Sequence, residues 1–215
     1  MIAALLKRDL GKFFPFTGSG AALPVVFFVA VAMLYPFAVG PDPAILARTG
    51  GGVVWIAALL AAVLPLERLV AQDIDLGTFD QLKLRGLTEE TMMAVRLLAH
   101  WLSFGPPLML ASLPAAALLG LDAKTLRIVE LGLLAGTPGL AALGIIVAAI
   151  TTGLRGGAAL AGLLVIPMAV PLLVFGAGSL STGGESGLAL TGAVSLVLLA
   201  IAPFAAGAAI RSGRG

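Results

Sequence analysis

The sequence contains no cysteine and only one histidine, His100. Disulfide bonds, cysteine-ligated metals and the Cys-x-x-Cys motifs of redox and haem-attachment proteins are therefore excluded. A metal centre built from several histidines is excluded as well, because its ligands must come in a cluster. The composition thus excludes both thiol chemistry and metal sites built from several histidines.

Charged residues are also scarce, at 11% of 215 residues, and they leave a net charge of only +2. The longest basic run is Lys7-Arg8, which is too short to indicate nucleic-acid binding. The phosphate-binding pattern Gly-x-x-x-x-Gly-Lys-Ser/Thr does not occur. If ATP drives this protein, we expect another polypeptide to bind it.

Hydrophobic residues, by contrast, make up 60% of the chain and gather in six long segments between short charged stretches. A helix needs about 20 apolar residues to cross a hydrocarbon core of about 30 Å. The second segment reaches this length only when its flanking residues are included. The pattern predicts an all-α membrane protein, one transmembrane domain over residues 1–215, with spans near 21–40, 53–66, 94–119, 128–150, 157–178 and 188–209.

Residues 1–16 are predicted to form an interfacial helix ahead of the first span. Apolar residues lie on one side at helical spacing, with Lys7, Arg8 and Lys12 opposite. Asp9 interrupts the apolar side. The apolar run that follows is too long for a signal peptide, and no cleavage site is evident, so we expect no cleaved leader.

The distribution of Lys and Arg predicts the orientation. If the N-terminus is cytoplasmic, the outer segments hold three basic residues: Arg48, Lys124 and Arg127. The inner segments then hold ten: Lys7, Arg8, Lys12, Arg68, Lys83, Arg85, Arg96, Arg155, Arg211 and Arg214. We therefore predict a multi-pass protein with both termini cytoplasmic, and we assign Tyr35, Trp55 and Trp101 to the aromatic belts.

The inner loop 67–91 holds more than a third of the charges and has its own helix signals. Glu67 and Arg68 are predicted at the inner membrane edge. Thr78 and Gln81 fit a capping box, followed by an apolar edge that contains Phe79 and Leu82. A second helix is predicted to begin at Thr88 of the same loop. The outer loops are predicted at residues 40–52, 120–127 and 179–187.

This short amphipathic helix has two interpretations. It lies on the membrane surface, or it docks into a groove on a soluble partner. The mixed charge of the loop favours a protein over anionic lipid. We predict that Thr78, Phe79, Asp80, Gln81 and Leu82 form a coupling helix that contacts an ATPase.

Within the spans, no charge is expected near the middle, which disfavours ion-coupled transport. His100 and the neighbouring Trp101 are the residues that could lie near a haem. A histidine near the membrane interface more often forms a hydrogen bond there, and we predict that His100 is not an essential haem ligand. We expect no metal and no cofactor held by this chain.

The chain resembles the haem-exporter B (CcmB) family, the permease subunit of the cytochrome c maturation ABC complex. The likeness runs over nearly the whole chain and depends on the order and spacing of short motifs. They are residues 36–43, 55–60, 66–69, 99–101, 136–138, 152–157, 166–167, 171–173 and 202–205.

This resemblance implies an ABC-2-like permease in the bacterial inner membrane, catalytically inert and present as a homodimer. It implies a separate ATPase subunit, CcmA, the membrane partners CcmC and CcmD, and the periplasmic haem chaperone CcmE. Haem is the substrate in one view; in another, ATP hydrolysis releases the haem-loaded chaperone. A non-transporting scaffold is the alternative. An intramembrane serine protease is disfavoured, because Ser179 is followed by Leu180 and His100 is the only histidine that could act as its base.

Overall fold

The computed structural model describes residues 1–13, 22–181 and 184–213, and these residues are mainly helical. Within these ranges the elements are α1 (Ile2–Phe13), α2 (Leu23–Val39), α3 (Pro43–Val63), α4 (Leu66–Asp75), α5 (Thr78–Leu84), α6 (Glu89–Leu118), α7 (Ala123–Thr151), α8 (Gly157–Gly178) and α9 (Glu185–Ser212). The prediction of an all-α membrane protein is confirmed.

Within the described ranges, five helical stretches are long and apolar enough to cross a membrane. The first joins α3 and α4 over Pro43–Asp75, and the others correspond to α6, α7, α8 and α9. Helix α2 is apolar but has only 17 residues. The count of six spans therefore stays a prediction, and the tail of the N-terminal segment, residues 14–16, lies outside the described residues.

The outer loops are shorter than the sequence suggested. The predicted loop 40–52 is wrong, because α3 already begins at Pro43. The Asp42 carboxylate caps this helix and accepts hydrogen bonds from the N–H groups of Ala44 (2.8 Å) and Ile45 (3.4 Å). Aspartate followed by proline is a strong helix start, so the signal was present in the sequence. The predicted start at Thr88 is confirmed, since its side chain accepts from Thr91 N–H.

Helix α7 lies at the centre of the bundle and packs against α3, α4, α6, α8 and α9. Residues 140–149 of this helix are all buried. Its small residues allow this, and the Trp55 ring from α3 packs against Gly132 and Gly136 of α7. The belt assignment of Trp55 is wrong, since the side chain is only 1% exposed.

The connections between the helices lie at the two ends of the bundle. At one end Gly50 of α3 lies against Leu119 and Leu121, and Gly51 lies against Leu180. The other end brings together α1, α4, α5, the start of α6 and the last turn of α9, and we call it the charged end. The segments predicted to share the inner side therefore meet at one end.

Candidate functional site

The predicted coupling helix exists as α5, but its local structure differs from the prediction. The helix begins after Gly77, whose φ of +63° places it in the left-handed region that glycine adopts most easily. The N-cap is Gly77 and no side chain of the described residues caps the helix, so the proposed capping box with Thr78 as N-cap is wrong. Thr78 is instead the first helical residue, and Gly77 by itself makes the turn.

The residues predicted on α5 point in two directions. Asp80 and Gln81 are exposed, Thr78 and Leu82 are partly buried, and Phe79 is buried with 1% exposure. The Phe79 ring is therefore packed within this chain and is not presented to a partner. The apolar side chain that α5 does present is Leu84, which is 89% exposed.

Phe79 packs against the guanidinium group of Arg96, whose carbon lies 4.9 Å from the ring centroid. The ring of Phe13 lies at 5.9 Å from the same carbon. Both distances lie within the range of a cation–π interaction. A side chain of α6 thus joins an aromatic residue of α5 to one of α1.

An ionic group formed by Arg8, Asp9, Lys12, Asp73 and Arg96, which we call the Arg96 cluster, has two buried carboxylates, in Asp9 and Asp73, and two partly exposed cations, in Arg8 and Lys12. Arg96 is its buried centre. Its Nε donates to Asp9 Oδ2 at 3.2 Å, and its Nη1 donates to the Leu69 carbonyl at 2.8 Å. Its Nη2 pairs with Asp73 and donates to Asp9 Oδ1 at 3.3 Å. Arg8 donates to Asp73 at 2.5 Å, and Lys12 lies 3.3 Å from the same carboxylate.

Asp9 explains a feature that looked unfavourable in the sequence. It interrupts the apolar side of α1, yet it is fully buried and makes its ion pair with Arg96 there. Leu5, Asp9 and Phe13 are the buried residues of α1 and recur every four residues, so Asp9 belongs to the packed face. Asp9 does not weaken this face, because the face meets an arginine.

Burial lowers the pKa of the Lys12 ammonium group, whereas the neighbouring Asp73 carboxylate acts in the opposite direction. A buried ionic group of this kind is sensitive to the loss of one member. Removing a single partner from a buried pair costs about 3–5 kcal/mol, since a charge remains unpaired in a poorly solvated site. The Arg96 cluster is therefore a strong constraint on the relative positions of α1, α4 and α6.

A second, more exposed ionic group lies nearby. Lys83 of α5 donates to Glu89 at 2.8 Å, and Arg211 at the end of α9 pairs with Glu90 and lies 3.9 Å from Glu89. Lys83 and Arg211 are about half exposed, so these pairs contribute little to stability. They bring the end of α9 to the start of α6.

Glu67 and Arg68, predicted at the inner edge, are both exposed near the start of α4. They face different cavities. Glu67 lines a cavity of about 270 Å³ beside the connection from α7 to α8. Arg68 lines a smaller one of about 40 Å³ together with Lys12 and Phe13. The structure does not bring these two charges to a common site.

His100 is buried, and neither ring nitrogen has a hydrogen-bond partner within the described ranges. The expected interfacial hydrogen bond of His100 is therefore not made there. Its ring lies 4.8 Å from that of Phe104 and close to Gly144 of α7. Trp101 turns to another side of α6 and donates from Nε1 to the Thr137 hydroxyl at 3.0 Å.

Among the described residues, no three His, Cys, Asp or Glu side chains are grouped in a way that would hold a metal ion. The sequence interpretation also missed Glu130, a half-buried carboxylate in α7 that bonds to the Ser112 hydroxyl of α6. It lies about 10 Å along α7 from the first helical residue, which places it near one end of the helix.

Sequence reasoning missed the Arg96 cluster as a unit. A usable signal was present, because Asp9 occupies the apolar side of α1 and Arg96 lies only two residues inside the predicted third span. Both positions place a charge where burial is expected. Two buried charges of opposite sign in a chain with few charges favour pairing. The pairing partner itself required the tertiary structure.

Comparison with known proteins gives a consistent result. A family model described as CcmB protein matches residues 1–213. A protein named Heme exporter protein B from Rhodobacter capsulatus is 41% identical over 213 residues, which is 97% of each chain. A protein with the same name from Bradyrhizobium diazoefficiens is 40% identical over 220 residues, which is 99% of this chain and 98% of the relative. Another from Escherichia coli K12 is 38% identical over 195 residues, which is 88% of this chain and 89% of the relative.

Proposed function

Because the chain belongs to the CcmB family, we propose that it is the membrane-spanning permease subunit of an ABC transporter that acts in cytochrome c maturation. The relatives are named as haem exporters, and they match this chain over nearly its full length. The long apolar helices supply the membrane-embedded part that such a subunit needs. The chain itself is not an enzyme in this proposal.

ATP is bound and hydrolysed by a separate subunit, CcmA, which docks on α5. The sequence has no phosphate-binding loop, so if ATP drives transport another polypeptide must bind it, which supports this part of the proposal. Helix α5 suits the contact because it presents exposed residues while its buried Phe79 fixes it to α6. The contact includes Asp80 and Gln81, with Thr78 and Leu82 at its edge and Leu84 as the exposed apolar residue. Phe79 belongs to this helix as its internal anchor.

The assembled complex contains two copies of the permease in the bacterial inner membrane, with CcmC and CcmD as membrane partners and CcmE as the periplasmic chaperone. Its ATP-driven output is haem export or the release of haem-loaded CcmE. Both outputs need a permease that changes shape when the ATPase does. A scaffold would hold the same membrane partners without needing the ATPase.

The single observation that carries the ATPase contact is the exposure of Leu84 on a helix whose opposite side is buried. An aspartate at this position would bury an unpaired carboxylate in the interface, which is costly because the charge loses its water without gaining a partner. We expect Leu84→Asp to reduce co-purification of CcmA at least tenfold. The matched control is Leu154→Asp, which changes an exposed leucine on the neighbouring connection.

Full retention of CcmA by Leu84→Asp would contradict the α5 contact. If the unmodified chain retained CcmC and CcmD but never CcmA, the scaffold function would be supported in place of the permease function. Equal losses in both variants would show that any charge at this end of the bundle disturbs the complex. That result would show that α5 has no specific role in binding CcmA.

A further inference from the structure

We propose that Arg96 is a positioning residue that makes α1, α4, α5 and α6 move as one unit. A displacement applied to α5 would then reach the membrane span that begins at Glu89. The idea that the displacement comes from an ATPase rests on the function proposed above. The existence of the rigid unit rests on the geometry alone.

One guanidinium group joins four segments of the chain. It belongs to α6, it donates to Asp9 of α1, and it reaches α4 through the Leu69 carbonyl and Asp73. Its face packs on Phe79 of α5.

The chemistry requires arginine at this position. A planar guanidinium presents donors in a fixed fork and can also stack on an aromatic ring, whereas a lysine ammonium is a compact point charge on a flexible chain. Arg96, Asp9 and Asp73 have at most 1% exposure, so their interactions are poorly screened by water. Lysine would keep the charge but lose the simultaneous contacts to three other segments.

Phe79 gives α5 its buried attachment to this group. Helix α5 has a second attachment through Lys83 and Glu89, but Lys83 is 57% exposed. Pairs of that kind hold a helix weakly. The stacking of Phe79 on Arg96 is therefore the contact expected to determine whether α5 follows α6 or moves independently of it.

The experiment uses the natural absence of cysteine. Gln81→Cys on α5 and Lys7→Cys on α1 replace exposed residues and give a unique pair of spin-label sites. The full chain in lipid nanodiscs should show a narrow distribution of label distances. Arg96→Lys should at least double the width of this distribution. Arg127→Lys, the same change at an exposed position at the other end, should leave the width unchanged.

Phe79→Leu is the second test, and it guards against an Arg96 variant that does not fold. This variant retains every ion pair and an apolar side chain but removes the aromatic face. It should widen the distribution as well. An unchanged width in Phe79→Leu, or in a folded Arg96→Lys, would overturn the proposal.

A functional measurement separates positioning from simple structural support. In the assembled complex we expect Arg96→Lys to retain CcmA while the amount of cytochrome c matured per ATP hydrolysed falls at least tenfold. Loss of maturation in parallel with loss of assembled complex would show support alone and overturn the proposal. Failure of the unmodified chain to bind CcmA would sink the proposed function, and the label distances would still decide whether the rigid unit exists.

Discussion

The Trp55 side chain restricts which residues can occupy the positions that face it. Its indole is buried between α7 and α8, where Gly132, Gly136 and Gly176 face the ring. A Cβ atom at Gly136 would lie 2.6 Å from the ring, and one at Gly132 would lie 2.9 Å away. The glycines therefore form a notch that fits the indole, and the Gly132-x-x-x-Gly136 motif acts within the subunit.

We expect Gly176→Ala to destabilise the protein, because its new methyl group would overlap the Trp55 ring. Overpacking of a close-packed interior costs about 1–3 kcal/mol, which exceeds the helix-propensity gain of about 1 kcal/mol. The thermal unfolding midpoint in detergent measures the effect. Gly178→Ala, on the same helix with open space around it, is the control and should not lower the midpoint. Equal midpoints for the two variants would contradict the notch.

His100 is predicted to be dispensable for haem binding. An axial ligand normally has a supporting partner on its second nitrogen, whereas the His100 ring contacts Phe104 and has no such partner within the described part of the chain. His100→Ala should leave the haem absorption spectrum of the purified complex unchanged, even if altered packing slows maturation. Ser103→Ala controls for packing on the same helix. A shifted or lost Soret band in an assembled His100→Ala complex would show that this subunit binds haem directly.

Helices α6 and α7 are joined across their interface by a side-chain hydrogen bond as well as by packing. Trp101 of α6 donates to Thr137 of α7 at 3.0 Å, and Thr137 is fully buried. The indole therefore does not act only as a belt residue. Its polar edge has a partner inside the bundle and, with the bond from Ser112 to Glu130, constrains how the two helices align along their length.

Thr137→Val should weaken this alignment while keeping the shape of the side chain. The expected loss is about 0.6 kcal/mol, the average for hydrogen bonds between membrane helices, and at most about 1.7 kcal/mol. Reversible unfolding in mixed micelles measures it. Thr152→Val is the matched control, because Thr152 is the C-cap residue of α7 and its hydroxyl donates to the Ala148 carbonyl of that same helix at 2.5 Å. If the control lost as much stability as Thr137→Val, the interhelical bond would have no specific role.

At the scale of the whole molecule, the two ends of the bundle differ in charge as the positive-inside rule requires. The charged end holds the Arg96 cluster, α5 and the Arg211 pairs, whereas Arg48, Lys124 and Arg127 lie towards the other end. This segregation agrees with a cytoplasmic position for the charged end.

We therefore predict that both termini are cytoplasmic. A green fluorescent protein fused after Gly215 should fluoresce in cells, and alkaline phosphatase fused at the same point should be inactive. The same two reporters placed after Leu121, in the connection from α6 to α7, should give the opposite result. Active phosphatase at the C-terminus would reverse the topology and place α5 outside, where no ATPase could reach it.

The sequence by itself determined the class, the approximate positions of the long helices and the family. Apolar runs of membrane-spanning length have few alternative folds, since every backbone polar group in lipid must be bonded internally. It also located α5 and the start of α6, because glycine turns and N-caps act within a few residues.

The tertiary structure decided the partners of the charges and the role of the aromatic residues. Asp9 and Arg96 are 87 positions apart, and Trp55 meets glycines from two other helices. Phe79 was expected to face a partner, yet it packs on Arg96. A short amphipathic pattern shows that one side is apolar but not which surface covers it, because that surface comes from residues distant in the chain.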